Sequence, residues 1–169
     1  FTKDFPGNLA DHVAAHKQIL ASAQSNDKDV GRTVARAIDA SRFTGAKGQS
    51  LTVLGQAGGM TRLTLLGVGK NRELDARAAE ALGGILAAEA NAAGQKAVSV
   101  AVDPVKGSRL TPAQIAARIA LGARLRNYRF DKYKTKDKPE QKISLEQITL
   151  FVAGPAEARR AYERLEPTI

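Results

Sequence analysis

Two histidines are the first residues in this chain whose types and spacing could bind a metal. His12 and His16 stand four residues apart in the stretch HVAAH. On a helix they would share one face, which is the spacing of a zinc-binding pair. A zinc protease helix also needs a Glu directly after the first histidine as general base, and Val13 stands there instead. Because the sequence nearby offers no third ligand, we interpret the pair as exposed helix histidines and predict no metal site.

A glycine turn, GVGKNR at residues 67–72, follows a predicted strand, where a phosphate-binding loop would begin. The P-loop pattern fails because no glycine stands five residues before Gly69 and because Asn71 replaces the required Ser or Thr. The dinucleotide fingerprint fails as well, since Arg72 occupies its third glycine position. Turn chemistry alone accounts for these glycines, so we favour a simple turn at the end of a strand.

The sequence also offers no recognisable nucleophile for covalent catalysis. The chain contains no cysteine, which excludes disulfides, thiolate metal sites and a cysteine nucleophile. No G-x-S-x-G elbow is present to hold a hydrolase serine. The remaining carboxylates are scattered over predicted helix faces and strand ends, so no acid–base pair can be nominated. We therefore assign no catalytic residue to this chain.

The basic stretch GARLRNYRFDKYKTKDK, residues 122–138, is the remaining candidate, with seven basic residues and three aromatics. Residues 122–142 hold eight Lys and Arg against three acidic groups, which is more than half of the chain's net charge of +9. Basic residues interleaved with aromatics are typical of surfaces that bind phosphates and stack on bases. The residues that would contact nucleic acid or a protein partner are Arg124, Arg126, Arg129, Lys132, Lys134 and Lys136.

A second interpretation of the same stretch is structural. Leu125 and Tyr128 fit the buried face of a helix, so the aromatics would pack where the helix leaves the sheet and the charges would face solvent. We favour packing with solvated charge, and we keep nucleic-acid binding, which would weaken steeply as salt rises, as the alternative.

The elements that must position these residues alternate along the chain after an opening helical region. The sequence predicts four helices. The third has Thr111 as its N-cap and Pro112 in its first turn. Its buried side is predicted from helical spacing to hold Ile115, Ala116, Ile119, Ala123 and Leu125. Gly94 closes the second. The predicted order is helix 29–41, strand 50–56, strand 62–69, helix 73–94, strand 96–103, helix 110–128, strand 146–154 and helix 155–166.

This alternation predicts one α/β domain over residues 1–169, a three-layer sandwich with helices on both faces of a mixed, mostly parallel sheet. The first two strands are separated by the turn signal AGGM and are expected to lie side by side, as in a hairpin. A chain of 169 residues with 43% hydrophobic and 25% charged residues has the size and composition of one soluble domain. No apolar run approaches the roughly 20 residues that span a bilayer, so we expect no membrane partner.

The order of three motifs resembles the N-terminal domain of the M17 leucyl aminopeptidase family. RLTLLGVGK precedes a helix and a strand, and GARLRNYRFDKYKTK then stands in front of ITLFVAG. The resemblance covers roughly residues 30–165. The family signature at the end of the later helix is carried by Gly122, Leu125, Tyr128, Phe130, Tyr133 and Lys134.

The resemblance implies a parent enzyme that removes N-terminal residues, often Leu, from peptides with two divalent metal ions, Mn or Zn. In that family the metal ligands and the catalytic Lys and Arg belong to a larger C-terminal domain, so this chain is expected to be an inactive fragment. Its implied partners are its own catalytic domain and the other subunits of a cytoplasmic homohexamer, with peptide substrate bound only through the missing domain. Some bacterial members of the family also bind DNA.

Two other functions remain open from the sequence. One is a basic module that binds nucleic acid through the stretch described above. The other is a ligand-binding domain of the macro type, suggested by the similar α/β plan, in which the turn at residues 67–69 would contact a phosphate of ADP-ribose.

Overall fold

The computed structural model describes residues 28–54, 62–102, 104–128 and 143–165. Within these ranges every predicted helix and strand is present, with ends that differ from the prediction by a few residues. The chain is therefore a mixed α/β protein. Its elements are α1 (Lys28–Asp39), β1 (Ser50–Leu54), β2 (Arg62–Leu66), α2 (Ala76–Ala92), β3 (Ala97–Val102), α3 (Pro112–Asn127), β4 (Gln147–Val152) and α4 (Pro155–Glu163).

The described strands form two small sheets. Strands β1 and β2 are antiparallel, with Ser50 opposite Leu66, which confirms that they lie side by side. Strands β3 and β4 are parallel, with Ala97 opposite Gln147, and α3 provides the crossover that a parallel pair requires. The described part of the chain thus contains two two-stranded sheets. We expected one mixed, mostly parallel sheet, and the described residues do not show it.

The main core lies between the β3–β4 sheet and helices α2 and α3. Alternate residues of a strand point to the same face, so the even-numbered apolar residues of both strands meet the helices. Leu74, Leu82 and Ile115 are buried in this cluster. The strand residues that contribute to it are Val98, Val100, Val102, Ile148, Leu150 and Val152.

Helices α2 and α3 approach closely because each has a glycine at the crossing. A Cβ atom on Gly83 would lie 2.0 Å from the carbonyl oxygen of Ile119, and one on Gly122 would lie 1.9 Å from that of Glu80. No side chain fits at either position, so the two backbones are in direct contact. An ion pair between Glu80 and Arg118, both about 70% buried, spans the same two helices.

A second, smaller core joins the β1–β2 hairpin to α1. Val34, Phe43 and Leu65 are buried there, and Leu51 packs against them. Ser50 lies on the opposite face of the hairpin, because it neighbours Leu51 on the strand, and its hydroxyl donates a 3.0 Å hydrogen bond to Glu89 of α2. Helices therefore contact the hairpin from both sides.

The helix ends follow the predicted chemistry. The Gln114 N–H donates to the Thr111 hydroxyl at 3.2 Å, and the Thr111 N–H donates to the Gln114 side chain at 2.9 Å, which completes a capping box. Asp75 caps α2 by accepting from the Ala78 N–H at 2.8 Å. Gly94 follows α2 with a φ of 65°, a conformation that favours glycine, as expected for a C-terminal stop.

Candidate functional site

Two of the six predicted contact residues lie within the described ranges. Arg124 and Arg126 stand in the last turn of α3 and are exposed. The other four, Arg129, Lys132, Lys134 and Lys136, lie outside the described residues, as do His12 and His16. The structure therefore locates the beginning of the basic stretch at the end of α3.

The apolar residues of that last turn are exposed, which contradicts our prediction that they are buried. Leu125 is 56% exposed and Tyr128 is 61% exposed. Ten residues at about 100° each place Leu125 some 80° away from Ile115, on the same side as exposed Gln114 and half-buried Arg118. Buried Leu121, one turn earlier, points within about 40° of Leu125, so this side of α3 is covered at Leu121 and open at Leu125.

Direction on the helix does not explain the exposure of Leu125, because side chains that point the same way are buried earlier in α3. Arg126 points within about 20° of buried Ile115 on the helix, yet Arg126 is exposed. After Ala123 the exposed residues are Arg124, Leu125, Arg126 and Tyr128, and Asn127 is half-buried. The last turn of α3 is presented to the surroundings on several sides.

Helix α4 lies beside this turn and completes the surface. The Arg124 guanidinium donates a 3.1 Å hydrogen bond from Nη1 to the hydroxyl of Tyr162. We call the resulting area the α3-end surface. It consists of Arg124, Leu125, Arg126, Tyr128 and Tyr162.

Asn91 and Asn127 hold the end of α3 against the residues that lead into β4. Asn91 Nδ2 donates to Asn127 Oδ1 at 2.8 Å, and Asn91 Oδ1 accepts from the backbone N–H groups of Ser144 and Leu145, each at 2.9 Å. Asn127 Nδ2 donates to the Leu145 carbonyl at 3.2 Å. The last turn of α2, the last turn of α3 and the residues that lead into β4 are therefore fixed to one another. Sequence reasoning missed this network, because asparagines near helix ends are usually interpreted as caps.

The glycine turn at residues 67–72 packs against residues 45–49 of the same chain. The Gly67 N–H donates to the Gln49 carbonyl at 2.7 Å, and the Gly69 N–H donates to the Gly45 carbonyl at 2.9 Å. A Cβ atom on Gly67 would lie 2.1 Å from the Ala46 carbonyl oxygen. These contacts confirm the interpretation as a turn at the end of a strand. They account for the glycines by themselves, so no bound phosphate is needed to explain these residues.

Potential metal ligands do not converge in the part of the chain that the structure describes. No three His, Cys, Asp or Glu side chains among those residues come together in a way that could hold a metal ion. The described residues also include no buried side-chain nitrogen or oxygen without a hydrogen-bond partner. None of the described helices is long and apolar enough to cross a membrane.

These features define an α/β fold whose described residues include an exposed basic and apolar helix end and no group of three potential metal ligands. The chain belongs to the cytosol aminopeptidase family: residues 13–137 match that family's N-terminal domain. The match confirms the resemblance to the M17 N-terminal domain that the motifs indicated.

Two curated relatives illustrate the extent of the similarity. A "Probable cytosol aminopeptidase" of Caulobacter vibrioides is 38% identical over 156 residues, which cover 90% of this chain and 30% of the relative. A protein of the same name from Rhodopseudomonas palustris is 35% identical over 149 residues, which cover 86% of this chain and 29% of the relative. The chain thus spans less than a third of the length of these relatives.

Two solved structures share a similar fold with this chain. A mutant of tomato leucine aminopeptidase matches with a TM-score of 0.63 and 22% identity over 80% of this chain and 26% of its own. The bottromycin maturation enzyme BotP, solved in complex with Mn, matches with a TM-score of 0.53 and 22% identity over 72% of this chain and 24% of its own. At this identity the likeness concerns the fold alone.

Proposed function

We propose that this chain is the non-catalytic N-terminal domain of a longer, cytoplasmic aminopeptidase that removes N-terminal residues from peptides. The observation that carries the proposal is the match of residues 13–137 to the N-terminal domain of the cytosol aminopeptidase family. The relatives' greater length supports it, because about 70% of the Caulobacter protein lies outside the matched part. The catalytic residues would belong to that other part.

The parent enzyme would use two divalent metal ions, Mn or Zn, to activate a water molecule and polarise the scissile carbonyl. The complex of BotP with Mn supports metal use in an enzyme of similar fold. The described residues of this chain do not fit such a metal pair, because none of them form a group of three potential ligands. We therefore derive no catalytic step for the described residues.

The role that we assign to this domain is to contact other parts of the enzyme. We propose that it packs against its own catalytic domain and against other subunits of a homohexamer, and that it thereby shapes access to the active site. In the whole domain the two sheets would be parts of one mixed sheet in a three-layer, macro-like sandwich, supported by the helices that contact the β1–β2 hairpin from both sides.

The test compares two proteins made from the same gene. The 169-residue chain should release no product from a leucine amide at any Mn or Zn concentration, and the full-length protein should cleave it and lose activity on chelation. Sequencing past Ile169 supplies the control, since it should reveal a segment rich in Asp, Glu and Lys metal ligands. Cleavage by the pure 169-residue chain would contradict the non-catalytic role, and an inactive full-length protein would contradict the aminopeptidase assignment.

We also propose that the six basic residues contact a partner, with nucleic acid as the alternative to protein. Arg124 and Arg126 are exposed at the end of α3, which supports a surface role for the start of the stretch. Binding of a DNA oligonucleotide that weakens steeply with salt, and that is lost when the six residues are changed to Gln, would favour nucleic acid. Salt-insensitive or absent DNA binding would favour a protein partner.

A further inference from the structure

Resting on the proposed function, we propose that the α3-end surface docks against the catalytic domain of the same polypeptide, with Leu125 and Tyr128 as the apolar anchors. The starting observation is that both large side chains are more than half exposed, although the rest of α3 is buried from Ala113 to Ala123 on most of its sides. Leaving both a Leu and a Tyr exposed to water forfeits the free energy that their burial would provide. A partner that covers them recovers it.

The composition of the surface fits a protein contact. Tyr and Arg are among the residue types that most often dominate the energy of such contacts, and Arg124, Arg126 and Tyr128 lie within three residues of Leu125 along the chain. Leu125 could not stack on a base as an aromatic does, so nucleic acid would leave the anchor unused. The matching surface should offer an apolar recess for Leu125 and carboxylates for Arg126.

The position of the surface favours a domain on the same polypeptide over a second copy of this chain. Tyr162 of α4 contacts Arg124 directly at 3.1 Å, so a polypeptide that continues beyond α4, as in the longer relatives, starts beside the surface. A tethered partner has an effective concentration in the millimolar range when the linker is short.

The experiment measures the accessibility of Leu125 in the full-length protein. Position 125 and, as the matched control, Leu54 are changed one at a time to cysteine, and any native cysteine of the downstream part is changed to serine. Leu54 is suitable because it is also a large exposed apolar residue, at 66%, and lies on the separate β1–β2 hairpin. Maleimide labelling rates are compared between the native and the urea-unfolded protein by mass spectrometry of the peptide that holds the introduced cysteine.

We expect Leu54→Cys to label at nearly the same rate in both states and Leu125→Cys to label about tenfold more slowly, or slower still, in the native protein. The same Leu125→Cys change in the 169-residue chain should label fast. Protection of position 125 in that shorter chain, or equal protection at both positions in the full-length protein, would overturn the proposal.

Two further outcomes separate this inference from the proposed function. If the full-length protein is an active aminopeptidase and position 125 labels as fast as position 54, the docking surface is overturned and the proposed function stands. Fast labelling at position 125 that only an added oligonucleotide slows would overturn it in favour of nucleic acid. A full-length protein that protects position 125 but cleaves no peptide would support the docking surface and contradict the proposed activity.

Discussion

Adding a single methyl group at Gly83 should destabilise the domain, although alanine is the better helix former. The Cβ atom of Gly83→Ala would lie 2.0 Å from the Ile119 carbonyl oxygen, where ordinary contact begins at 3.4 Å. The neighbouring atom is backbone and cannot rotate away, so α2 and α3 must separate by about 1.4 Å. A gap of even 1 Å forfeits up to about half of the dispersion energy between facing atoms.

The expected size follows from two opposing terms. Overpacking of a core costs up to about 3 kcal/mol, and replacing an interior helical glycine by alanine returns about 1 kcal/mol. Gly83→Ala should therefore lower the free energy of unfolding by about 2 kcal/mol, which corresponds to about 4–8 °C in melting temperature for a domain of this size. Urea unfolding of the 169-residue chain, followed by circular dichroism at 222 nm, measures the change.

Gly84 provides the matched control, because it is the next residue of the same helix and a Cβ atom there has nothing within 4 Å. Gly84→Ala should keep only the favourable term and stabilise the chain by about 1 kcal/mol. Gly122→Ala should resemble Gly83→Ala, and the double variant of Gly83 and Gly122 should cost less than the sum, since one separation of the helices accommodates both methyl groups. Equal stabilities of Gly83→Ala and Gly84→Ala would refute the close backbone contact.

Three further predictions concern the polar contacts and the metals. Asn91→Ala should lower the free energy of unfolding by about 2–3 kcal/mol, because the N–H groups of Ser144 and Leu145 lose their acceptor. Asn91→Asp keeps that acceptor but places an oxygen against Asn127 Oδ1, so it should recover only part of the loss in the same urea titration. Thr111→Ala should cost about 1 kcal/mol by loss of the capping box, and Thr111→Ser, which retains the hydroxyl, should restore most of it; no difference between the two in thermal unfolding would argue against the cap. Chelation of divalent metals should abolish cleavage of a leucine amide by the full-length protein, yet shift the melting temperature of the 169-residue chain by less than about 1 °C, and a larger shift in calorimetry would reveal a metal site in this chain.

The elements were predictable because their signals are local. Thr111 and Pro112 are adjacent, Gly94 follows the last turn of α2, and the turn signal AGGM stands directly between β1 and β2. Each of these signals is contained within a few neighbouring residues, so it can be interpreted without knowing what packs against the element. The family could be recognised for a similar reason, because the order of the motifs is written along the chain.

The α3-end surface could not be predicted because burial is not local. Periodicity identifies which residues share a helix face, but it does not tell how far along the helix the neighbouring elements extend. In α3 the cover ends after Ala123, and so Arg126 is exposed although it points in nearly the same direction as buried Ile115. The Asn91 network was hidden for a related reason, since its partners Ser144 and Leu145 are more than 50 residues away in sequence.

The small residues of the core help to explain why the described residues form no cleft and why we propose a contact role for this domain. Glycine and alanine at the α2–α3 crossing let backbone meet backbone, and this leaves no space between the helices for a cleft lined with functional groups. Among the described residues, polar side chains such as Asn91, Thr111 and Asp75 are engaged with backbone groups at the ends of elements, where they fix geometry. A body built in this way is suited to hold a surface rigidly in place. In the proposed docking such rigidity would matter at Leu125 and Tyr128, because an anchor held in place by its helix loses less conformational entropy when a partner covers it.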